Sequence, residues 1–185
     1  NSVVSEGSGV GFGGLVGRTG PSVQIANSYS SSNINLDNGG QSTGGLVGNV
    51  GGGDSAINSS YFNGTISGVA LGNPSYQTGG LVGLIKYGSS SYNINNSYAD
   101  TSITLSSGSA DTGGLVGNIA DSNFRSDGSI SIGSVSGGGS VGGIVGYMSG
   151  TGSIFKGVET SMDVTGESQV GGFAGVMDSD SAIVY

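Results

Sequence analysis

One five-residue word constrains this chain more than any other feature: Gly-Gly-Leu-Val-Gly, read first at Gly13, Gly14, Leu15, Val16 and Gly17. It returns unchanged from Gly44, Gly79 and Gly113, from Gly142 with Ile144 in place of Leu, and from Gly171 with Phe173 and Ala174 in place of Leu and Val. Successive copies start 29 to 35 residues apart, a period that belongs to arrays in which one supersecondary unit stacks on its copies. Residues 1–185 are therefore read as a single repeat domain.

Two kinds of segment recur between the words. The first reads Ile25-Ala26-Asn27-Ser28-Tyr29, Ile57-Asn58-Ser59-Ser60-Tyr61 and Ile94-Asn95-Asn96-Ser97-Tyr98; the second reads Ile34-Asn35-Leu36, Ile66-Ser67-Gly68-Val69 and Ile103-Thr104-Leu105. Later units keep Ile130-Ser131-Ile132 and Met162-Asp163-Val164. Apolar residues alternate with small polar ones, a period-two pattern that marks strands, and Gly-, Pro-, Ser- and Asp-rich turns separate the segments. No segment carries the 3.6-residue apolar stripe of a helix. Three short strands and three turns in about 30 residues describe one coil of a parallel β-solenoid, or β-helix, each strand pairing with its copy one coil away at ~4.8 Å. Propeller blades, at about 40 to 50 residues with four strands, fit less well. The expected architecture is all-β, about six coils of three short strands.

Parity then assigns faces. Leu15, Leu46, Leu81, Leu115, Ile144 and Phe173 form one expected core column, while the adjacent Val16, Val47, Val82, Val116 and Val145 are also apolar, leaving open whether one of the two files is a lateral contact. Tyr29, Tyr61 and Tyr98 form an aromatic column that could face in or out, and shared parity with Ile25, Ile57 and Ile94 favours the interior. Asn27 and Asn96, with Ser59 between, read as a stacked amide ladder.

Composition enters as a set of exclusions. Forty-one Gly would argue for disorder in an aperiodic chain; here the period supplies a stackable core. With no Cys, a disulfide scaffold is excluded. Only four basic residues, Arg18, Lys86, Arg125 and Lys156, stand scattered against twelve acidic ones, so no basic patch for nucleic acid is expected. No apolar run approaches the ~18 residues of a membrane-spanning helix. The Gly-, Ser-, Asn- and Thr-rich surface with few Lys and Glu has the look of a secreted bacterial protein.

Six phased Gly-Gly-Leu-Val-Gly words with Asn-Ser-Tyr segments between them resemble the GLUG-motif repeats of large bacterial surface proteins, over nearly the whole chain. The last word departs most from that pattern. Such repeats occur in adhesin-like proteins and beside the catalytic region of streptococcal immunoglobulin A metallopeptidases, so the resemblance implies an extracellular stalk or adhesive module at the bacterial cell surface.

Chemistry is sparse. Zinc hydrolysis of the metallopeptidase type needs His-Glu-x-x-His and the chain has no His, which also removes Ser-His and Cys-His nucleophiles. Gly9-Val10-Gly11-Phe12-Gly13-Gly14 matches a dinucleotide fingerprint formally but has no βαβ unit around it. Asp54, Asp121, Asp178 and Asp180 fall in turns, where solvated Asx-type bends are the plain reading and a weak Ca²⁺ site the sharper one. No catalytic, cofactor or metal residues are expected, and no enzymatic activity.

Two functions follow: a non-enzymatic structural rod, either an adhesin stalk or a subunit stacking head to tail into a filament, and, alternatively, a glycan- or host-protein-binding module on a solenoid face. An exposed aromatic column would favour the second. Asn1 and Tyr185 fall in one phase of the repeat, so continuation into a longer solenoid and end-to-end self-association are both expected partners of this chain.

Overall fold

The computed structural model describes residues 2–5, 10–36, 41–69, 76–86, 90–106, 108, 110–120, 123–149, 151–178 and 182–184. All the regular structure among them is β, and every strand pairing is parallel. The chain winds as a β-solenoid of about five turns.

Each turn uses four strands rather than the expected three, and the strands stack into four sheets. Sheet 1 comprises Phe12–Gly13, Ser42–Gly44, Tyr76–Gly79, Ala110–Gly113, Ser140–Gly142 and Gln169–Gly171. Sheet 2 comprises Val16–Arg18, Val47–Val50, Val82–Lys86, Val116–Ala120, Val145–Met148 and Ala174–Met177. Sheet 3 comprises Gln24–Ala26, Ser55–Asn58, Ser91–Asn95, Asn123–Asp127, Ile154–Lys156 and Ala182–Val184. Sheet 4 holds Ser2–Ser5, the pair Tyr29–Ser30 and Asn33–Leu36, then Tyr61–Gly68, Tyr98–Leu105, Ile130–Gly137 and Glu159–Gly166.

The extra strand comes from the repeat word itself. Its first Gly ends a sheet 1 strand, its second Gly and Leu form a bend, and its Val opens a sheet 2 strand, so the word is a corner and not a strand. Backbone hydrogen bonds continue through that bend: Leu81 N–H donates to the Leu115 carbonyl at 2.8 Å and Leu46 N–H to the Leu81 carbonyl at 3.0 Å. A bend cancels strict alternation, and two consecutive side chains can then point inward. Leu46, Leu81, Leu115 and Ile144 are buried, and so are Val47, Val82, Val116 and Val145. Both files therefore line the interior, with Leu15 exposed and Phe173 half-buried against the core.

The second Gly of the word is required by the neighbouring coil. A Cβ on Gly80 would stand 2.0 Å from the Gly114 carbonyl oxygen and 2.7 Å from the Ala99 Cβ, closer than atoms can approach. The remaining core is filled by files in register from coil to coil, such as Ile34, Ile66, Ile103 and Val135, with Phe62, Tyr92, Phe124 and Phe155 as its largest members.

Candidate functional site

The outer side of sheet 4 is built by the corner that precedes it. Between sheets 3 and 4 one residue per coil holds a left-handed conformation: Asn27 (φ 51°), Ser59 (47°), Asn96 (47°), Gly128 (60°) and Gly157 (55°). Asn, Ser and Gly are the types expected there, because short polar side chains and a missing Cβ tolerate positive φ best. The residue that follows locks the corner. Ser60 Oγ accepts the Ser28 N–H at 3.2 Å and donates to the Asn58 carbonyl at 2.9 Å. Ser97 repeats this with the Ser60 N–H (3.2 Å) and the Asn95 carbonyl (2.9 Å), and Ser129 Oγ takes the Ser97 N–H at 3.3 Å. Ser60, Ser97 and Ser129 are buried, so each hydroxyl satisfies backbone groups that water cannot reach.

This corner overturns two expectations. Left-handed backbone between Ile and Tyr reverses the parity on which the inward reading rested: Ile25, Ile57 and Ile94 are buried, whereas Tyr29 is 62% exposed, Tyr98 39% and Tyr61 partly exposed. The tyrosine column lies outside. Asn27, Ser59 and Asn96 are exposed corner residues and not an amide ladder; the amide contact along the axis is instead Asn95 Nδ2 donating to Asn58 Oδ1 at 3.1 Å.

The three tyrosine rings stack face to face, with centroids 5.1 Å apart and planes at 10° for Tyr29 and Tyr61, and 4.8 Å and 1° for Tyr61 and Tyr98. Their faces are largely spent on one another, so the column offers ring edges and hydroxyls as a ridge parallel to the solenoid axis. Ile130 continues the file in the next coil.

Beyond the ridge the outward residues of sheet 4 fall into three further files: the nearest runs Asn63, Asp100, Ile132 and Ser161, with Ile132 an exposed apolar member, and the two outer files hold short polar side chains. One runs Asn33, Thr65, Ser102, Ser134 and Asp163, the other Asn35, Ser67, Thr104, Ser136 and Thr165. Neighbouring rungs bond to each other: Thr65 Oγ1 donates to Asn33 Oδ1 at 3.1 Å, and the Ser102 and Ser134 hydroxyls lie 3.0 Å apart. Nearer the ridge, Asn63 Nδ2 donates to Asp100 Oδ2 at 3.1 Å. The sequence signal for these files is the polar partner in the alternation of Ile66-Ser67 and Ile103-Thr104.

A second polar feature lies where sheets 1 and 2 meet in the later coils. A cleft of about 420 Å³ is lined by Asp111, Asn118, Ser140, Tyr147 and Gln169, together with Gly138, Gly139 and Ser168 from two connections. Asn118 Nδ2 donates to Asp111 Oδ2 at 2.5 Å, and the Tyr147 hydroxyl donates to Asp178 Oδ2 at 3.0 Å. Burial raises the Asp111 carboxyl above the usual carboxylate range, against the lowering effect of hydrogen bonds from Asn118 and Ser140. Held by its hydrogen bond to Asp178, the Tyr147 phenol is likewise raised. The sequence signal for this cleft is the position two before the word, which reads Ser42, Gln77, Asp111, Ser140 and Gln169 in register.

Of the turn aspartates, two lie within the described residues and each has its own partner. Asp54 accepts the Ser91 N–H at 2.9 Å, Asp178 accepts from Tyr147, and Asp121 and Asp180 lie outside the described residues, as do Asn1 and Tyr185. Among the described residues no three carboxylates come together as a metal site, and no helix is long and apolar enough to cross a membrane. Within the core, a void of about 20 Å³ beside Ile25, Ile57, Ile85 and Tyr92 is too small for anything beyond a single water. Comparisons with protein-family models, with curated proteins and with solved structures give no match for this chain.

Proposed function

We propose that this chain is a non-enzymatic structural β-solenoid acting outside a bacterial cell, as an adhesin stalk or as a subunit stacked head to tail. One observation carries the reading: the inter-coil hydrogen bonds do not lapse at two of the four corners of each coil. They run through the Gly-Leu bend and through the left-handed corner, where Ser hydroxyls complete them, so at these two corners as well as along the four sheets each coil is fixed to the next. Such a structure resists bending and extends in proportion to its number of coils. The GLUG-like words supply the surface location.

Electron microscopy of the purified chain tests this. Straight rods are expected, with filaments at high concentration if subunits stack, at a subunit repeat of about 29 Å for six rungs at ~4.8 Å. Particles about 29 Å long that never align at high concentration would overturn the filament form and leave the stalk, whereas particles without a solenoid's cross-section would overturn both.

The adhesive alternative draws support from a different observation, the outward tyrosine column. A surface that spends aromatic side chains on solvent is a candidate for contact with a glycan or host protein.

A further inference from the structure

The outward side of sheet 4 differs from an ordinary exposed sheet in what it lacks. Solvated strands commonly carry long charged side chains that blunt association. Here the two outer files hold only Asn, Ser, Thr and Asp, and no Lys or Arg projects from this side among the described residues. The four basic residues stand on sheets 2 and 3.

Short side chains bonded along the axis are already ordered. Thr65 is tied to Asn33 and Ser102 to Ser134, so little rotamer freedom is left to lose when a ligand arrives. Each hydroxyl still has a donor or acceptor site to offer, and the pattern repeats at every rung, ~4.8 Å along the axis. A partner able to use every rung must itself repeat at that spacing. A globular surface without stacked strands has no such repeat, and a second copy of this face would bring its Asp100, Glu159 and Asp163 carboxylates against their like; an extended polysaccharide has the repeat without the charge, since one pyranose residue advances by about one rung.

Charge narrows the class. Asp100, Glu159 and Asp163 project from this side with no cation beside them on it, which disfavours uronate or sulfated chains. Geometry sets the direction: the Tyr29, Tyr61 and Tyr98 ridge runs along the axis beside the outer files, a wall of ring edges and phenol hydroxyls that confines a chain laterally and can hydrogen-bond it while its other hydroxyls meet the files. A flat crystalline plane would ride up on that ridge, whereas a single chain lies beside it.

We propose that the outer face of sheet 4 binds a neutral, extended polysaccharide lying parallel to the solenoid axis. The proposal rests on the adhesive reading and is separable from the stalk reading, because rods can form without glycan and glycan can be held without rods. Individual contacts are weak, and their number along the chain supplies the affinity.

Retention of the full 185-residue protein in native gels loaded with soluble single-chain polysaccharides (hydroxyethylcellulose, glycol chitin and soluble β-1,3-glucan), with alginate as the anionic control, tests it. Binding to at least one neutral polysaccharide and none to alginate is expected. Thr104→Glu and Ser67→Glu, made separately and each checked for an unchanged thermal midpoint, should weaken retention tenfold or more. Gln24→Glu, exposed on sheet 3, should leave it intact. The proposal fails if no neutral polysaccharide is retained, if alginate is preferred, or if the sheet 3 variant loses as much as the sheet 4 variants. Inhibition of ice recrystallisation without polysaccharide retention would also overturn it, assigning the array of hydroxyls to ice.

Discussion

Two corners of this solenoid do the same job by opposite means. At the bend between sheets 1 and 2, the chain turns where the second Gly of the word lies against the next coil in the first five copies; the sixth, Gly172, keeps the residue although its Cβ would meet open space. Between sheets 3 and 4 the chain turns by a left-handed residue, and Asn, Ser, Asn, Gly and Gly serve in successive coils. The first corner is constrained by another coil's backbone, the second by its own φ. A steric limit from a fixed neighbour admits one residue type; a torsional preference admits a graded set. That is why one corner is conspicuous in the sequence and the other passes for an ordinary polar segment.

The largest effect should come from forcing the tight corner. Gly80→Val places a branched side chain where the Gly114 carbonyl lies 2.0 Å from the new Cβ, and relief requires parting two hydrogen-bonded coils. A loss of about 5 kcal/mol or more is expected, at the top of the range for single substitutions. Ser106→Val, on the exterior, should change stability by about 0.5 kcal/mol at most. Equal denaturation midpoints for the two variants would dissolve the contrast between the corners.

Next in size is the side chain that the tight corner turns inward. Leu81→Ala should cost about 2 to 5 kcal/mol, because Leu81 is wholly buried and its neighbours are held by the ladder. Leu15→Ala, in the first coil and exposed, should cost well under half as much by urea titration. A midpoint unmoved by Leu81→Ala would take the Leu file out of the core.

The looser corner should fail more gently. Ser97→Ala removes the acceptor of the Ser60 N–H and the donor to the Asn95 carbonyl at a buried site, for about 1 to 3 kcal/mol. Gly128→Asn, which gives coil four the residue used at Asn27 and Asn96, should cost less than about 1 kcal/mol, since its Cβ meets only the movable Asn96 amide. Thermal melts that rank Gly128→Asn below Ser97→Ala in stability would show that sterics govern this corner as well.

The smallest effect is a pH dependence beside the tight corner. Burial raises the folded-state pKa of Asp111, so ionising it opposes folding: the penalty grows as pH rises through the unfolded carboxylate range near about 3.9 and is complete above the folded value. Asp111→Asn should therefore raise the midpoint at pH 7 and make no difference at lower pH, once the carboxyl is protonated in both states. A gain that persists at low pH would assign the effect to packing and not to charge.

Much of the architecture was legible because solenoids repeat their errors as faithfully as their contacts: a period near 30 residues, no helical stripe and recurring Ile and Leu positions lead to stacked parallel strands. The number of strands per coil was not, because the word's alternation hides a bend that only the nearby coil imposes on Gly80. For Tyr29, Tyr61 and Tyr98, which sequence leaves free to face in or out, parity counted from Ile favours the interior, and one left-handed residue per coil inverts that count. Ser60 and Asn58 look interchangeable in sequence; φ at Ser59 decides which of them is interior. Asp111 and Asn118 come together through the bend between them, and neither residue's immediate neighbours advertise that pairing.

The tyrosine stack has an optical consequence. Three phenol rings 4.8 to 5.1 Å apart and within 10° of parallel bring their electronic transitions close enough to couple, so the near-ultraviolet circular dichroism of Tyr29, Tyr61 and Tyr98 belongs to the set and not to separate chromophores. Coupling of this kind falls steeply with separation. The first three coils thus carry a built-in ruler for their own spacing, one that would register axial strain on the rod before any strand has parted.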